Sequence, residues 1–469
     1  MKVKNKYFGD KAFYKMVLTV AVPMMIQNGI TNFVGLLDNI MVGRIGTEQM
    51  SGIAIVNQLL LVFNLAIFGA ISGVGIFGAQ FYGCKNNKGV QQTFRFKLYV
   101  CAGIVLAGII VLLVVGEQLI LLYLHGEGNG QALQDTLEYG KQYLWVMLIG
   151  LAPFAVEEIY ASTLRECGET RVPMVAGAVA VFVNLVLNYL LIFGKFGFPK
   201  LGVVGAAVAT VISRYVQMVM VMAWTHTHGA RMPFAVGVYK ELAIPGQLAW
   251  NIVKTGTPLM INEILWAAGI AVQNQCYSLR GLDAVAAQNI SSTISNLFNV
   301  VFMSMGGAIA IIVGQLLGAG KMEEAKDTDR KLIVFSVLSC FVLGGLMVIL
   351  SPLFPRLYNT SDQVKELAVR LLWISACCMP LYAFVHASYF TLRSGGKTII
   401  TFFFDSVYLW CINIPLAYVL SRFTGLSMAP LFLCCQLIDL IKCAIGFILV
   451  KKGVWLNNIV SSSPASQEA

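Results

Sequence analysis

The sequence predicts an all-α integral membrane protein, with twelve transmembrane helices in two parallel six-helix repeats around a central cavity. Three observations lead there: too few charges to cover a soluble surface, twelve apolar segments of spanning length, and an internal repeat. Of 469 residues, 58% are apolar and 12% charged, with a mean hydropathy of +0.75. Soluble domains carry about 25% charged residues. That deficit excludes an ordinary soluble enzyme. High hydrophobicity excludes intrinsic disorder, and the length excludes a small disulfide-stapled scaffold.

A spanning helix needs about 20 mostly apolar residues. Twelve segments qualify, near 16–42, 51–82, 94–115, 137–161, 172–193, 202–224, 251–278, 284–318, 332–351, 365–392, 398–420 and 427–450. Basic Met1–Lys15 precedes the first span with no small-residue cleavage site after it, so that span is expected to act as its own insertion signal. Lys and Arg concentrate on alternate loops. With an inside amino terminus, 22 of them fall on the inner side, Lys85, Arg95, Lys97, Arg165 and Arg393 among them, and nine on the outer side. The bias places both termini in the cytoplasm and accounts for the net charge of +10. No basic tract alternates with exposed aromatics, so no nucleic-acid partner is expected. The 11 cysteines lie mostly in apolar runs and lack metal-site spacing. The expected organisation is an N-terminal six-helix bundle (1–225), a cytoplasmic linker (226–249), a C-terminal six-helix bundle (250–451) and a disordered tail (452–469).

A shift of 235 residues aligns the first span with the seventh without a gap from Pro23 to Arg95. The identities include Pro23/Pro258, Gly46/Gly281, Asn64/Asn299, Gln80/Gln315, Gly83/Gly318, Thr93/Thr328 and Arg95/Arg330. Further on, Thr163-Leu164-Arg165 matches Thr391-Leu392-Arg393, and Gly168/Gly396 and Thr170/Thr398 follow. Six spans per half is an even number, so both halves enter from the same side, related by an axis along the membrane normal. Pro23 and Pro258 each remove a backbone hydrogen bond from a first helix and are candidate hinges.

Polar residues concentrate in the first two helices of each half. They include Gln27, Asn28, Asn32, Asp38 and Asn39 in the first span and Asn57, Gln58 and Asn64 in the second. The seventh carries Asn262, Glu263, Gln273, Asn274 and Gln275. Such groups are costly against lipid and must face protein or water, so these helices are expected to line a cavity. Asp38 has Gln273 as its repeat partner, so its charge is one-sided. A carboxylate held away from bulk water suits a site that alternates between protonated and cation-bound forms; the alternative is an interfacial residue near Arg44. Asn184 and Asn188, four apart on the fifth span, share a face and either complete a site with Asp38 or join helices by hydrogen bonds. Glu263 either takes part in coupling or makes a structural hydrogen bond. Glu157 and Glu158 point about 100° apart, so one of the two is expected in the cavity, with Arg214 neutralising one of them. Asp439 and Lys442 are expected to pair locally, and Asp405 to be interfacial near Lys397. No P-loop or catalytic constellation occurs, so neither ATP drive nor enzyme activity is expected.

Asp38-Asn-Ile-Met-Val-Gly43, closing the first helix, Gly78-Ala-Gln-Phe-Tyr-Gly83, closing the second, and Ala206–Ser213 in the sixth resemble the MATE family of multidrug and toxin extrusion transporters. The resemblance runs from Met16 to Val450. It implies a secondary antiporter in a bacterial cytoplasmic membrane, exporting organic, usually cationic, drugs or toxic metabolites in exchange for H+ or Na+ by rocker-switch alternating access. It also implies a monomer, no cofactor beyond the coupling cation, and no metal beyond Na+ at Asp38. Asp38 matches the family's first-helix aspartate, and Asn184 and Asn188 a polar pair of its fifth helix. Where many members have a glutamate after the seventh-helix proline and an aspartate in the tenth helix, this chain has Trp266 and Tyr382; Glu263 stands one turn before the former. Gln27, Asn32, Asn57, Asn64, Glu157, Glu158, Arg214, Glu263, Gln273 and Tyr382 are the candidates for the substrate cavity or coupling. The alternative function is a flippase of the wider superfamily for a lipid-linked precursor, which would need a strongly cationic cavity.

Overall fold

A computed structural model describes residues 6–43, 45–124, 130–358 and 360–461, and among these the regular structure is all helical. The side chains of 34, 36–40 and 357 lie outside the described set, so the site expected at Asp38 does too. The helices are α1 (Lys11–Gly43), α2 (Thr47–Gly83), α3 (Asn87–Tyr123), α4 (Gly130–Ile149), α5 (Leu151–Glu166), α6 (Arg171–Phe193) and α7 (Gly202–Thr227). Then follow α8 (Gly246–Ser278), α9 (Leu282–Gly318), α10 (Met322–Leu350), α11 (Asp362–Ser394), α12 (Thr398–Phe402), α13 (Ile414–Phe423), α14 (Met428–Leu437) and α15 (Asp439–Lys452).

Among the described residues, ten helical stretches are long and apolar enough to cross a membrane. The pair α4–α5 makes an eleventh, bent by 45°. The bend falls at Gly150, ahead of Pro153, whose ring nitrogen has no proton for the preceding turn. The remaining expected span is α8, which is 33 residues long but carries Asn262, Glu263, Gln273, Asn274 and Gln275. Its polarity takes it out of the apolar set, and that same polarity makes it a candidate cavity helix. The span expected at 398–420 begins as α12, passes through π-helical turns at Phe403–Val407 and Leu409–Asn413, and ends as α13. Wide π turns commonly occur where a helix accommodates a functional or buried polar group.

Two compact units emerge. The N-unit is Ile26–Gly78 with Asn87–Ala249; the C-unit is Met1–Met25, Ala79–Asn86 and Trp250–Ala469. α1 therefore passes from one unit to the other two residues after Pro23, and α2 does so at Gly78. Division at residues 225 and 250 misses both transfers.

The segment expected as a cytoplasmic linker is docked on α3. Within the N-unit, Gln91, Arg95 and Tyr99 stand four apart on α3, on one face. They donate to the carbonyls of Val236, Val238 and Leu242, at 2.9, 2.7 and 2.9 Å. Phe234 and Val238 are buried there. The tail is corrected more sharply: residues 453–461, expected to be disordered, pack within the C-unit, with Trp455 and Val460 each 1% exposed. Residues 462–469 lie outside the described set.

Candidate functional site

In the N-unit, α5, α6 and α7 carry the polar side chains. Glu157 is buried and accepts a 2.8 Å hydrogen bond from Gln217 Nε2 on α7. Glu158, 100° around the helix, is half-buried and faces Arg165, whose Nη1 lies 3.6 Å from Oε2. Arg165 also donates to Gln27 Oε1 at 3.3 Å, tying α5 to α1. Arg214 stays within electrostatic reach of Glu157, as the sequence suggests, but its hydrogen bond goes elsewhere. It donates from Nη1 to the Gly150 carbonyl at 3.1 Å and lies 4.9 Å from the Phe154 ring centroid. The guanidinium thus serves the carbonyl at the α4–α5 break. On α6, Asn188 Nδ2 donates to Asn184 Oδ1 at 3.1 Å, and Asn184 Nδ2 donates to Thr210 Oγ1 on α7 at 3.3 Å. Asn57 is exposed and accepts from the Tyr143 hydroxyl at 3.3 Å; Asn64 is half-buried and Asn32 exposed.

The C-unit holds a different cluster. Lys442 Nζ lies 2.6 Å from Asp405 Oδ1. The ammonium also sits 5.3 Å and 5.7 Å from the ring centroids of Phe404 and Tyr408. Asn262 on α8 donates to Asp405 Oδ2 at 3.1 Å and to the Tyr389 hydroxyl at 3.3 Å. Its own carbonyl oxygen, Oδ1, accepts from the Ser406 amide and hydroxyl at 3.2 and 2.7 Å. Asp439 is bound instead by Asn413 Nδ2 at 3.2 Å. Both local expectations are therefore corrected. Lys442 pairs across helices with Asp405 rather than with Asp439, and Asp405 is inside the bundle rather than interfacial. The reason is register: the π turns carry Asp405 and Asn413 onto the side of α15. Gln273 is buried and donates to the Tyr277 hydroxyl at 3.0 Å; Tyr382 donates to Gln436 at 2.6 Å; Glu263 is half-buried. Pro258 stands inside α8 and Pro23 inside α1.

Among the buried ionic groups not expected from the sequence are Lys97 and Asp329. Lys97, counted there among loop cations, is 1% exposed inside α3. Its ammonium donates to Glu166 Oε1, Thr163 Oγ1 and Ser162 Oγ at 2.6, 3.0 and 3.1 Å. A methyl group on Gly78 would overlap the Glu166 carboxylate, and one on Gly75 would come within 2.6 Å of it. This pair of small residues three apart on α2 was the available signal. Asp329 on α10, also 1% exposed, accepts from Thr391 Oγ1 at 2.5 Å.

Fold and site together define a multi-pass helical membrane protein of two related halves, with buried polar clusters inside its helices. The MatE family model matches residues 23–190 and again 258–419, two matches beginning 235 residues apart, the register of the internal repeat. The chain belongs to this family of multidrug efflux transporters, which are not enzymes. It is 25% identical over 423 residues to the probable multidrug resistance protein NorM of Thermotoga maritima, covering 88% of this chain and 87% of the relative. To the probable multidrug resistance protein YoeA of Bacillus subtilis it is 26% identical over 419 residues, 87% of each chain. Its fold is similar to the outward-facing conformation of a multidrug resistance MATE family transporter of the MOP superfamily. That match has a TM-score of 0.85 and 18% identity, and covers 97% of this chain and 98% of that one. MATE in the bent conformation is similar at a TM-score of 0.84, with 17% identity and 97% coverage of each chain.

Proposed function

We propose that the chain is a cation-coupled antiporter that exports organic, cationic compounds in exchange for H+ or Na+ by rocker-switch alternating access. The membrane is the bacterial cytoplasmic one, with both termini inside and the protein acting as a monomer. One observation carries the reading. Asp405 of the C-unit already has an internal cation, Lys442, whereas Glu157 of the N-unit takes its hydrogen bond from a neutral amide. A carboxylate with an amide partner keeps its charge available to a mobile cation; one with an ammonium at 2.6 Å does not. We place coupling in the N-unit on the one-sided Asp38 of the repeat, with Asp38, Asn184 and Asn188 as the cation-loading residues and Glu157 as a further participant in the exchange.

In this reading a cation enters from outside and substrate release accompanies its loading. One elementary charge moving inward supplies about 2.3 kcal/mol per 100 mV. Substrate and cation bias one conformational equilibrium, so each lowers the other's affinity by the same factor. Arg214 is occupied by a backbone carbonyl and an aromatic ring, which gives no support to a pyrophosphate-binding flippase cavity. The test is ethidium or norfloxacin transport in proteoliposomes with Na+ and H+ gradients imposed in turn. Wild type should respond to one gradient, and Asp38→Asn should lose that response. Gradient-dependent transport at near-normal rate in Asp38→Asn would overturn the mechanism.

A further inference from the structure

The ends of α2 and α9 are repeat partners, and within the C-unit they cross reciprocally. A methyl group on Gly83 would overlap the Gln315 carbonyl, and one on Gly318 would overlap the Gln80 carbonyl. The two Gln/Gly pairs thus lock backbone against backbone with no room for a Cβ on either side.

The chain after α15 is fastened over this crossing. Gly453 adopts the left-handed region, with φ of 68°, and turns the chain back from α15. Gln80 is fully buried, and all of its side-chain hydrogen-bonding groups are used by the C-unit. Nε2 donates to the carbonyls of Ser394 and Asn457 at 2.9 and 3.2 Å, and Oε1 accepts from the Ile459 amide at 2.9 Å. Asn458 Nδ2 reaches the Gly318 carbonyl at 3.0 Å, so the same segment grips both glutamine-glycine helix ends. Asn457 Nδ2 donates to the Gly395 carbonyl at 3.3 Å, and Trp455 is buried with its indole nitrogen on the Val450 carbonyl at 3.1 Å.

Room for this segment comes from a break in the repeat. The first half has Cys167 where the second has Gly395, in the register of Thr163/Thr391 and Gly168/Gly396. A methyl group on Gly395 would overlap the Trp455 carbonyl. The second half lacks a side chain where the returning chain lies.

We infer that residues 455–459 form a latch on the α2–α9 crossing, and that the crossing opens in the transport cycle only after Gln80 releases the latch. This rests on the alternating-access reading above. Gln80 belongs to a helix that passes into the N-unit two residues earlier, at Gly78, so any movement of α2 pulls on this side chain first. A buried amide losing three partners together is a barrier with a discrete release, not a graded one.

The test joins Gln80→Cys and Ile459→Cys with a short, thiol-cleavable cross-linker in the full-length reconstituted protein, with Gln80→Cys alone as the control for native cysteines. Wild-type transport is measured first in the same vesicles; its absence would count against the proposed function and not against the latch. With wild type active, cross-linking should stop transport in the double variant alone, and reduction should restore it. Transport by the cross-linked carrier at its reduced rate would overturn the latch. Hydrogen exchange provides a readout independent of transport. In Gln80→Ala, and in a chain ending at Gly453, amides of 81–84 should exchange roughly tenfold faster, the factor that about 1.4 kcal/mol produces. Unchanged exchange in both variants would also overturn it.

Discussion

Thr163 and Thr391 occupy the same place in the two halves, near the ends of α5 and α11, yet they serve opposite charges. Thr163 accepts from the ammonium of Lys97, while Thr391 donates to the carboxylate of Asp329. A hydroxyl does either, because it carries one donor and two lone pairs. The repeat has kept the helix and its hydroxyl and exchanged the charge beside it. A second contrast runs the other way. Glu157 of the N-unit has a neutral partner, and Asp405 of the C-unit has an ammonium. Duplication thus preserved the scaffold while each half acquired its own electrostatics. Transport chemistry in a protein of this kind is to be sought in those differences.

The contrast breaks most readily at Lys442. Lys442→Met should destabilise the protein by about 3 kcal/mol, the low end for an orphaned buried charge, because Asp405 keeps 18% exposure. Thermal melting in detergent reads this, and Asp405→Asn on top should recover most of the loss. If the single variant melts like wild type, the ion pair does not neutralise Asp405. The threonines give a smaller effect. Thr391→Val removes the hydroxyl donor recorded for Asp329 and should cost about 2 kcal/mol. Thr163→Val leaves Lys97 with Glu166 and Ser162 and should cost about 1 kcal/mol. Equal losses would erase the distinction drawn between the halves. Glu157→Gln should have the smallest effect on stability, under about 1 kcal/mol, since Gln217 finds the same acceptor. Its transport should nonetheless fall. Full gradient-driven transport in that variant would remove Glu157 from the coupling set.

Much of the fold was legible because the bilayer leaves few options. A backbone crossing lipid must satisfy its own hydrogen bonds, so long apolar runs read directly as helices. The repeat was legible because matched Pro, Gly, Gln and Arg residues are improbable in an aliphatic composition. Where reading failed, the failures were local. Asp439 and Lys442 satisfy the spacing of an intrahelical pair, but two π turns bring Asp405 to Lys442 and Asn413 to Asp439. Lys97 looks like a loop cation, since its burial depends on Glu166, 69 residues away. The segment after Lys452 looks like a tail because its partners, Gln80 and Gly395, are remote in the chain.

The sequence by itself determined the solvent this protein inhabits, the helical spans, the duplication and the family. The first two follow from composition and apolar run length and the third from the self-match of the chain, while the family rests on the resemblance of the motifs Asp38–Gly43, Gly78–Gly83 and Ala206–Ser213. Only the tertiary structure decided which charge neutralises which, that Arg214 attends the broken α4–α5 span, and that residues 457–459 grip Gln80. Such choices depend on the rotation and depth of each helix against its neighbours. Helix rotation is set by packing summed over many side chains, and no spacing within one helix encodes it.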